Sequence, residues 1–243
     1  MRCAIIADIH ANLPAFKEVL ADIERQGGVD EVWFLGDLVG YGPDPHECIE
    51  LLRPLKPVGV AGNHDRASIG KADTVAMTPD AAAACIWTAG RLTPEDIEYL
   101  DGLPLSVVKG EFTLVHGSPR DPVWEYLRST SVAMENFSFF EGKYCLTGHT
   151  HLPGVFRQEE GTCSFIQLST SIKLVLGKGR LIICPGGVGQ PRDGDPRAGY
   201  AIYDSDIGVI RLYRVAYDIE ATRARMMEAG LPIRLIERLS LGK

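Results

Sequence analysis

The residues with the clearest chemical potential in this chain are carboxylates, histidines and one asparagine, each placed just after a short apolar run. They occur in five places: Asp8-Ile9-His10, Asp37, Asn63-His64-Asp65, His116 and His149-Thr150-His151. The run Val32–Leu35 is typical, because four apolar residues predict a buried strand that ends next to a single carboxylate, Asp37. A buried carboxylate is costly unless it is paired or bound to a metal. Since α/β sheets collect ligands at the carboxyl ends of their strands, we expect the five places to meet in one crevice.

This set of donors predicts a metal centre. Carboxylates, imidazoles and an amide oxygen, with no thiolate among them, suit Mn²⁺, Fe²⁺ or Zn²⁺. The donors are too many for one ion and enough for two, provided that one carboxylate bridges the ions, and Asp37 is the natural bridge. Five of the six histidines follow strand signals in this way, which scattered structural histidines would rarely do.

The elements that must position these residues begin as an alternation of strands and helices. Strand patterns cover 2–7, 30–35 and 57–61, and the helices between them follow Asn12 and Asp44. Two more helices are predicted after Thr78 and Thr93, and then a hairpin over 104–115. Residues 121–141 are predicted as mixed helix and loop.

The second half of the chain is rich in strands. Short strands are predicted at 144–147, 154–158, 163–168, 180–184, 199–204 and 207–214, followed by an amphipathic helix from Asp218. The whole order predicts an α/β fold, a four-layer α/β/β/α sandwich of two mixed sheets with helices outside. The metal site is then expected at the C-terminal edge of the strands.

Composition narrows the class of protein. A chain of 243 residues without a low-complexity linker predicts one domain over 1–243, and a net charge of −7 argues against general nucleic-acid binding. No apolar run approaches the roughly 18 residues of a membrane span, and residues 1–10 carry no secretory signal pattern, so we expect a cytoplasmic protein without a membrane partner. Six cysteines without a C-x-x-C pair are predicted to be reduced core residues. The oligomeric state is left open.

The five places also carry a family resemblance. Asp8-x-His10, Gly36-Asp37, Gly62-Asn63-His64-Asp65, His116-Gly117 and Gly148-His149-x-His151 resemble, in this order, the five blocks of the calcineurin-like metallophosphoesterase superfamily. The likeness spans residues 8–151, and the ordered set is far more specific than any one block. The loop Pro185–Asp193 is similar to a late loop of small bacterial and archaeal members, of phosphodiesterase or phosphatase type. One position departs from the better-known protein phosphatases, which carry Gly-Asp-x-x-Asp: Gly40 stands at the last place here, which weakens any transfer of their substrate.

The resemblance implies a role for each matched residue. One metal would be held by Asp8, His10, Asp37 and His151, and the second by Asp37, Asn63, His116 and His149. His64 would face the substrate, and Asp65 would orient it and keep it charged. The implied reaction is phosphoester hydrolysis, in which a hydroxide bridging the metals attacks phosphorus and His64, as general acid, protonates the departing oxygen.

The substrate is expected to be a small phosphorylated molecule, with a phosphodiester or a dinucleoside polyphosphate preferred and a phosphomonoester as the other option. The predicted substrate contacts are Asn12, Arg192 and His46, with Arg197 a weaker candidate. Each also has a structural explanation: Asn12 as a helix cap, His46 as a capping or surface histidine, and the arginines as parts of a solvated turn. The alternative function is a non-catalytic protein-interaction module on the same fold.

Overall fold

Two six-stranded sheets pack face to face in the computed structural model, which describes all residues from 1 to 243. The first sheet has the strand order β3-β2-β1-β11-β12-β9, and the second has the order β4-β5-β6-β10-β7-β8. In each sheet the three strands that lead to the site run parallel and the added strands run antiparallel, so both sheets are mixed. The strands are β1 (Arg2–Ile6), β2 (Glu31–Phe34), β3 (Val58–Gly59), β4 (Ser106–Lys109), β5 (Phe112–Val115), β6 (Tyr144–Leu146), β7 (Gly154–Glu159), β8 (Thr162–Gln167), β9 (Lys173–Val175), β10 (Arg180–Cys184), β11 (Ala198–Asp204) and β12 (Val209–Val215).

The chain also forms eight helices, none of which lies between the two sheets. They are α1 (Leu13–Arg25), α2 (Pro45–Leu52), α3 (Asn63–Ser68), α4 (Pro79–Ala89), α5 (Pro94–Asp101), α6 (Thr130–Asn136), α7 (Ile219–Glu228) and α8 (Ile233–Leu239). No helix combines the length and the apolar character that a membrane span needs.

The central strands, such as β1, β2, β5, β6 and β10, are mainly apolar because both of their faces are buried. In β1, Cys3 and Ile5 pack between the two sheets, whereas Ala4 and Ile6 pack against the layer of α1 and α2. The second sheet packs against α6 on its outer side through residues such as Ile182. The predicted four-layer α/β/β/α sandwich is therefore confirmed.

Three elements differ from the sequence-based expectation. The third strand is shorter than predicted and is followed at once by α3, so His64 and Asp65 lie in the first turn of a helix. The short strand β9 (Lys173–Val175) is absent from the predicted order, although Ile172, Leu174 and Leu176 alternate there as in a strand. The chain ends in two helices rather than one, since Gly230, with a φ of 70°, and Pro232 break the run between α7 and α8.

Asn12 joins three parts of the fold. Its side chain is 1% exposed, and its Oδ1 accepts hydrogen bonds from the Ala15 N–H at 3.2 Å and the Thr222 hydroxyl at 3.1 Å. Its Nδ2 donates to the Gly189 carbonyl at 2.8 Å. The residue thus caps α1 and ties that helix to α7 and to the loop that precedes β11.

We expect Asn12→Ala to lower the free energy of unfolding by about 3 kcal/mol, because it leaves a buried amide and a buried carbonyl without partners. Chemical denaturation measures this loss. The matched control is Ser129→Ala, which removes the exposed N-cap of α6 and should cost about 1 kcal/mol. Equal losses of stability in the two variants would contradict the role of Asn12 in tying α1 to α7 and to the loop before β11.

Candidate metal centre

The predicted donors follow the ends of five strands, β1, β2, β3, β5 and β6, and at several of them the backbone turns sharply. Asp8, His10, Asp37, His149 and His151 all adopt a positive φ, between 49° and 61°. This left-handed conformation is uncommon outside glycine, although Asp and His adopt it more often than most residues. Because it breaks the extended path, side chains beyond the strand ends no longer alternate between the two faces.

The first cluster contains Asp8, His10 and His151. The Nε2 atoms of the two histidines lie 3.2 Å apart, and the Nε2 of His151 is 3.5 Å from Oδ1 of Asp8. One donor atom from each residue lies within 4.8 Å of the others, as a shared ion requires.

The second cluster contains Asn63, His116 and His149. The Nε2 of His116 is 3.1 Å from both Oδ1 of Asn63 and Nδ1 of His149. Oδ2 of Asp37 lies between the clusters, 3.3 Å from Nε2 of His116 and 3.6 Å from Nε2 of His10. The structure therefore brings together all seven predicted ligands and places the Asp37 carboxylate where a bridge would lie.

The outer nitrogen of each of the four histidines faces a backbone carbonyl. These contacts are His10 Nδ1 with Val39, His116 Nδ1 with Leu35, His149 Nε2 with Trp124 and His151 Nδ1 with Gln190. A carbonyl only accepts, so the outer nitrogen carries the proton and the inner nitrogen of a neutral ring presents a lone pair. The inward nitrogens form two pairs, 3.2 Å apart in His10 and His151 and 3.1 Å apart in His116 and His149, and the two lone pairs within each pair repel unless a cation or a proton lies between them.

The carboxylates support the same conclusion. Asp8 and Asp37 are at most 1% exposed, and Oδ2 of Asp8 has no hydrogen-bond partner in the protein. Such an oxygen is costly to bury unless it binds a cation. The residues present thus fit two divalent cations of the hard-to-borderline class.

In the metal-free protein, the buried histidine and carboxyl groups of the cluster shift the pKa values of one another. Burial alone would lower the pKa of His116, but Asp37 and Asp8 raise it to about 9. Burial raises the pKa of Asp8 to about 7, while His116 and the other imidazoles hold the pKa of Asp37 well below its usual value against its own burial. His116 in the metal-free protein is therefore an imidazolium between two carboxyl groups.

His64 takes part in neither pair of facing nitrogens, although one of its ring nitrogens lies within 4.8 Å of donor atoms of His10 and Asp37. Its ring packs against Tyr41, with 4.3 Å between centroids, and edge-on against His10 at 4.8 Å. Burial lowers the pKa of His64 to about 4. The resemblance implied that Asp65 raises the imidazolium fraction of His64, whereas in the metal-free protein this low pKa leaves the ring neutral at pH 7.

Asp65 does not contact the His64 ring, so the predicted pairing of the two is wrong. Its carboxylate accepts four backbone N–H groups, from Asp37, Leu38, Val39 and Gly62, at 2.8–3.1 Å. Neighbouring residues in a helix point in different directions, so once α3 begins at Asn63 the two side chains diverge. Asp65 instead holds the loop that carries Asp37.

The structure separates the three predicted substrate contacts. Arg192 is near the site, where it donates to the Tyr41 hydroxyl at 3.3 Å and to Gln190. Burial is the largest cause that lowers the pKa of His151, and the charge of Arg192 is the second. His46 lies outside the clusters, about half exposed, and its Nδ1 is 3.0 Å from an oxygen of Asp96 on α5. Asn12 is enclosed by the bonds described above. Arg197 pairs with Asp195.

Two neighbours of the site escaped sequence analysis. Tyr126 stacks on the His149 ring at 3.7 Å between centroids, and Sγ of Cys85 lies 3.3 Å from Nδ1 of His64. Neither belongs to a motif, and both lie in segments whose pattern predicted only helix or loop. No signal in a single sequence identifies them.

The chain is similar to known proteins along its whole length. The model of the calcineurin-like phosphoesterase family matches residues 1–153. An uncharacterized protein of Methanocaldococcus jannaschii is 39% identical, over 99% of this chain and 98% of its own. A crystal structure of a metallophosphoesterase from Sphaerobacter thermophilus superposes with a TM-score of 0.91 at 46% identity, covering both chains completely.

More distant relatives match only in part. A symmetrical bis(5'-nucleosyl)-tetraphosphatase of Nitrosococcus oceani is 31% identical over 144 residues, which are 56% of this chain and 50% of that protein. The chain thus aligns with about half the length of this relative.

The geometry predicts that Asp37→Asn weakens binding of both ions by more than about 100-fold, because one carboxylate serves both clusters. Calorimetric titration of the metal-free protein with Mn²⁺ or Zn²⁺ measures this. His46→Gln is the matched control and should retain two tight sites. Unchanged binding in Asp37→Asn would rule out the shared carboxylate.

The pKa values also predict a pH dependence of metal binding. With a pKa of about 9, His116 must lose a proton to bind, so affinity falls about tenfold per pH unit as the pH drops from 9 towards 7. Below about pH 7 the Asp8 carboxyl adds a second proton and the fall steepens. Titration at pH 8 in buffers of different ionisation enthalpy should show about one proton released, and no release would contradict this assignment.

Proposed function

The chain belongs to the calcineurin-like phosphoesterase family, and from this membership we propose that it hydrolyses small phosphoesters with the help of two divalent metal ions. The observation that carries the proposal is the convergence of four inward imidazole nitrogens and two buried carboxyl groups beside His64. Members of this family use divalent metals, and the donor set fits Mn²⁺, Fe²⁺ or Zn²⁺.

Two bound divalent cations would supply Lewis acidity, which attracts phosphoryl oxygens and makes water acidic enough to act as a nucleophile near neutral pH. The ligands Asp8, His10, Asp37 and His151 would hold one ion, and Asp37, Asn63, His116 and His149 the other. The protein itself orients these groups through the backbone carbonyls behind each ring.

His64 is the group placed to assist the departing oxygen. Its Nδ1 faces Cys85, so Nε2 is the nitrogen left for the substrate. Because burial keeps the ring neutral, its first contribution is an N–H hydrogen bond that stabilises the negative charge developing on the leaving group. Transfer of this proton to the departing oxygen matters most for leaving groups of high pKa, which depart slowly as unprotonated anions.

Arg192 supplies a fixed positive charge next to the site. Its guanidinium is oriented by Gln190 and Tyr41, and the protein as a whole carries a net charge of −7. A phosphate oxyanion is therefore drawn to this place by Arg192 and the metal ions rather than by the overall field.

A phosphodiester or a dinucleoside polyphosphate is the substrate class we favour. A relative that is 31% identical over half its length is named a bis(5'-nucleosyl)-tetraphosphatase. We place the reaction in the cytoplasm, in keeping with the sequence-based expectation.

A non-catalytic interaction module is the alternative. Such a module has no need for a complete ligand set together with His64. The deciding assay measures hydrolysis of 4-nitrophenyl phosphate, its bis-ester and diadenosine tetraphosphate by the Mn²⁺-loaded protein. Bound metal without hydrolysis of any phosphoester would favour the module, and faster turnover of the monoester than of the other two would overturn the preferred substrate class.

We expect His64→Ala to slow turnover in proportion to how poor the leaving group is. In a series of aryl phosphodiesters, kcat should fall about 100-fold or more for unsubstituted phenolate and much less for 4-nitrophenolate. Metal stoichiometry should stay unchanged, since His64 belongs to neither pair of facing ligand nitrogens. A uniform loss across the series would show that His64 does not act on the departing oxygen.

A further inference from the structure

The side chain of Cys85 is the only polar partner of the His64 ring at Nδ1. Cys85 lies on α4 with 0% of its surface exposed, and its Sγ is 3.3 Å from that nitrogen. The other four site histidines are each held by a backbone carbonyl, as described above. His64 therefore differs from them in the kind of group that sets its orientation.

The surroundings leave little room for another partner. Asp65 is turned towards backbone amides, and Gly40 has its Cα against the ring: a Cβ on Gly40 would lie 2.4 Å from Nδ1. The Tyr41 ring packs against the imidazole, tilted by 51° with 4.3 Å between centroids. The thiol of Cys85 is the polar group that reaches Nδ1.

The chemistry of the contact decides which ring nitrogen carries the proton. Burial raises the pKa of Cys85 to about 12, so the thiol keeps its hydrogen. Two other groups lie near the thiol. Sδ of Met77, at 3.8 Å, is a weaker acceptor than an imidazole nitrogen, and the Ser68 hydroxyl can donate to the sulfur, which leaves the S–H available to Nδ1. An S–H bond donated to Nδ1 leaves the proton of the neutral ring on Nε2, where it can be donated to a substrate.

We propose that Cys85 is a positioning residue for His64: its buried thiol donates to Nδ1 and so fixes both the ring orientation and the tautomer that presents an N–H to the departing oxygen. The role in turnover rests on the proposed hydrolytic function. The contact between thiol and ring stands independently of it.

The kinetic test compares three variants of the full-length, Zn²⁺-loaded protein. Cys85→Ala removes the donor and should lower kcat for a phenyl phosphodiester about tenfold, with KM and metal stoichiometry unchanged and a smaller effect on the 4-nitrophenyl ester. Cys85→Ser retains an O–H donor and should recover most of the lost rate. Cys145→Ala, at another cysteine with 0% exposure but in β6, is the control for core loosening and should not change kcat.

The second readout is the tautomer itself. Nitrogen chemical shifts of the His64 ring, assigned by comparison with His64→Gln, should show the proton on Nε2 in the native protein and in Cys85→Ser. In Cys85→Ala the two tautomers should mix. An unchanged tautomer and kcat in Cys85→Ala, or equal losses in Cys85→Ala and Cys145→Ala, would overturn the proposal.

The two proposals fail in different ways. If the native protein hydrolyses no phosphoester while the tautomer responds to Cys85→Ala, the hydrolytic function is wrong and the positioning contact stands. If hydrolysis is present and His64→Ala impairs it, but the Cys85 variants change neither readout, the positioning role is wrong and the function stands.

Discussion

The repulsion among buried donor groups is the constraint on which the rest of this structure depends. Four imidazole nitrogens with inward lone pairs and two carboxyl groups meet in a volume that solvent hardly reaches. Bringing one unpaired charge into such a place costs several kcal/mol. Two divalent cations would bring four positive charges against the two carboxylates and would turn an unfavourable cluster into a stable centre with a net positive field.

The backbone around the site meets this constraint by tying the loops to one another. The segments that follow β1 and β2 stay hydrogen-bonded to each other. The N–H groups of Asp8, His10 and Ala11 donate to the carbonyls of residues 36, 37 and 38, respectively. Asp65 collects the amides of the same segment from the side of α3. These bonds offset the left-handed backbone at the ligands, which costs roughly 1 kcal/mol or more per residue. Gly62 completes the arrangement, because a Cβ there would lie 2.0 Å from Oδ1 of Asp37.

Sequence patterns predicted the elements that are defined by burial, but not the directions in which individual side chains point. Continuous apolar runs marked the strands with two buried faces, and the donors after them, such as Asp37 and His116, could be placed because strand ends share an edge. The pattern did not show that α3 starts at Asn63, and this one fact turns Asp65 away from His64. Contacts between distant segments, such as Cys85 with His64 and Tyr126 with His149, leave no trace in a single chain. His46 shows the converse, since a histidine near a glycine-rich loop can belong to a surface pair with Asp96.

The surroundings of His64 differ from those of a histidine paired with a carboxylate. Gly40 lies so close to the ring that a Cβ there would be 2.4 Å from Nδ1. A carboxylate at that place would favour an imidazolium, because an opposite charge within a few ångströms stabilises the charged form. A thiol offers a hydrogen bond without a charge, so the ring stays neutral in the buried site. In the proposed role His64 would be a fixed N–H donor, which would suit substrates whose leaving group needs stabilisation of its charge more than a full proton at the moment of departure.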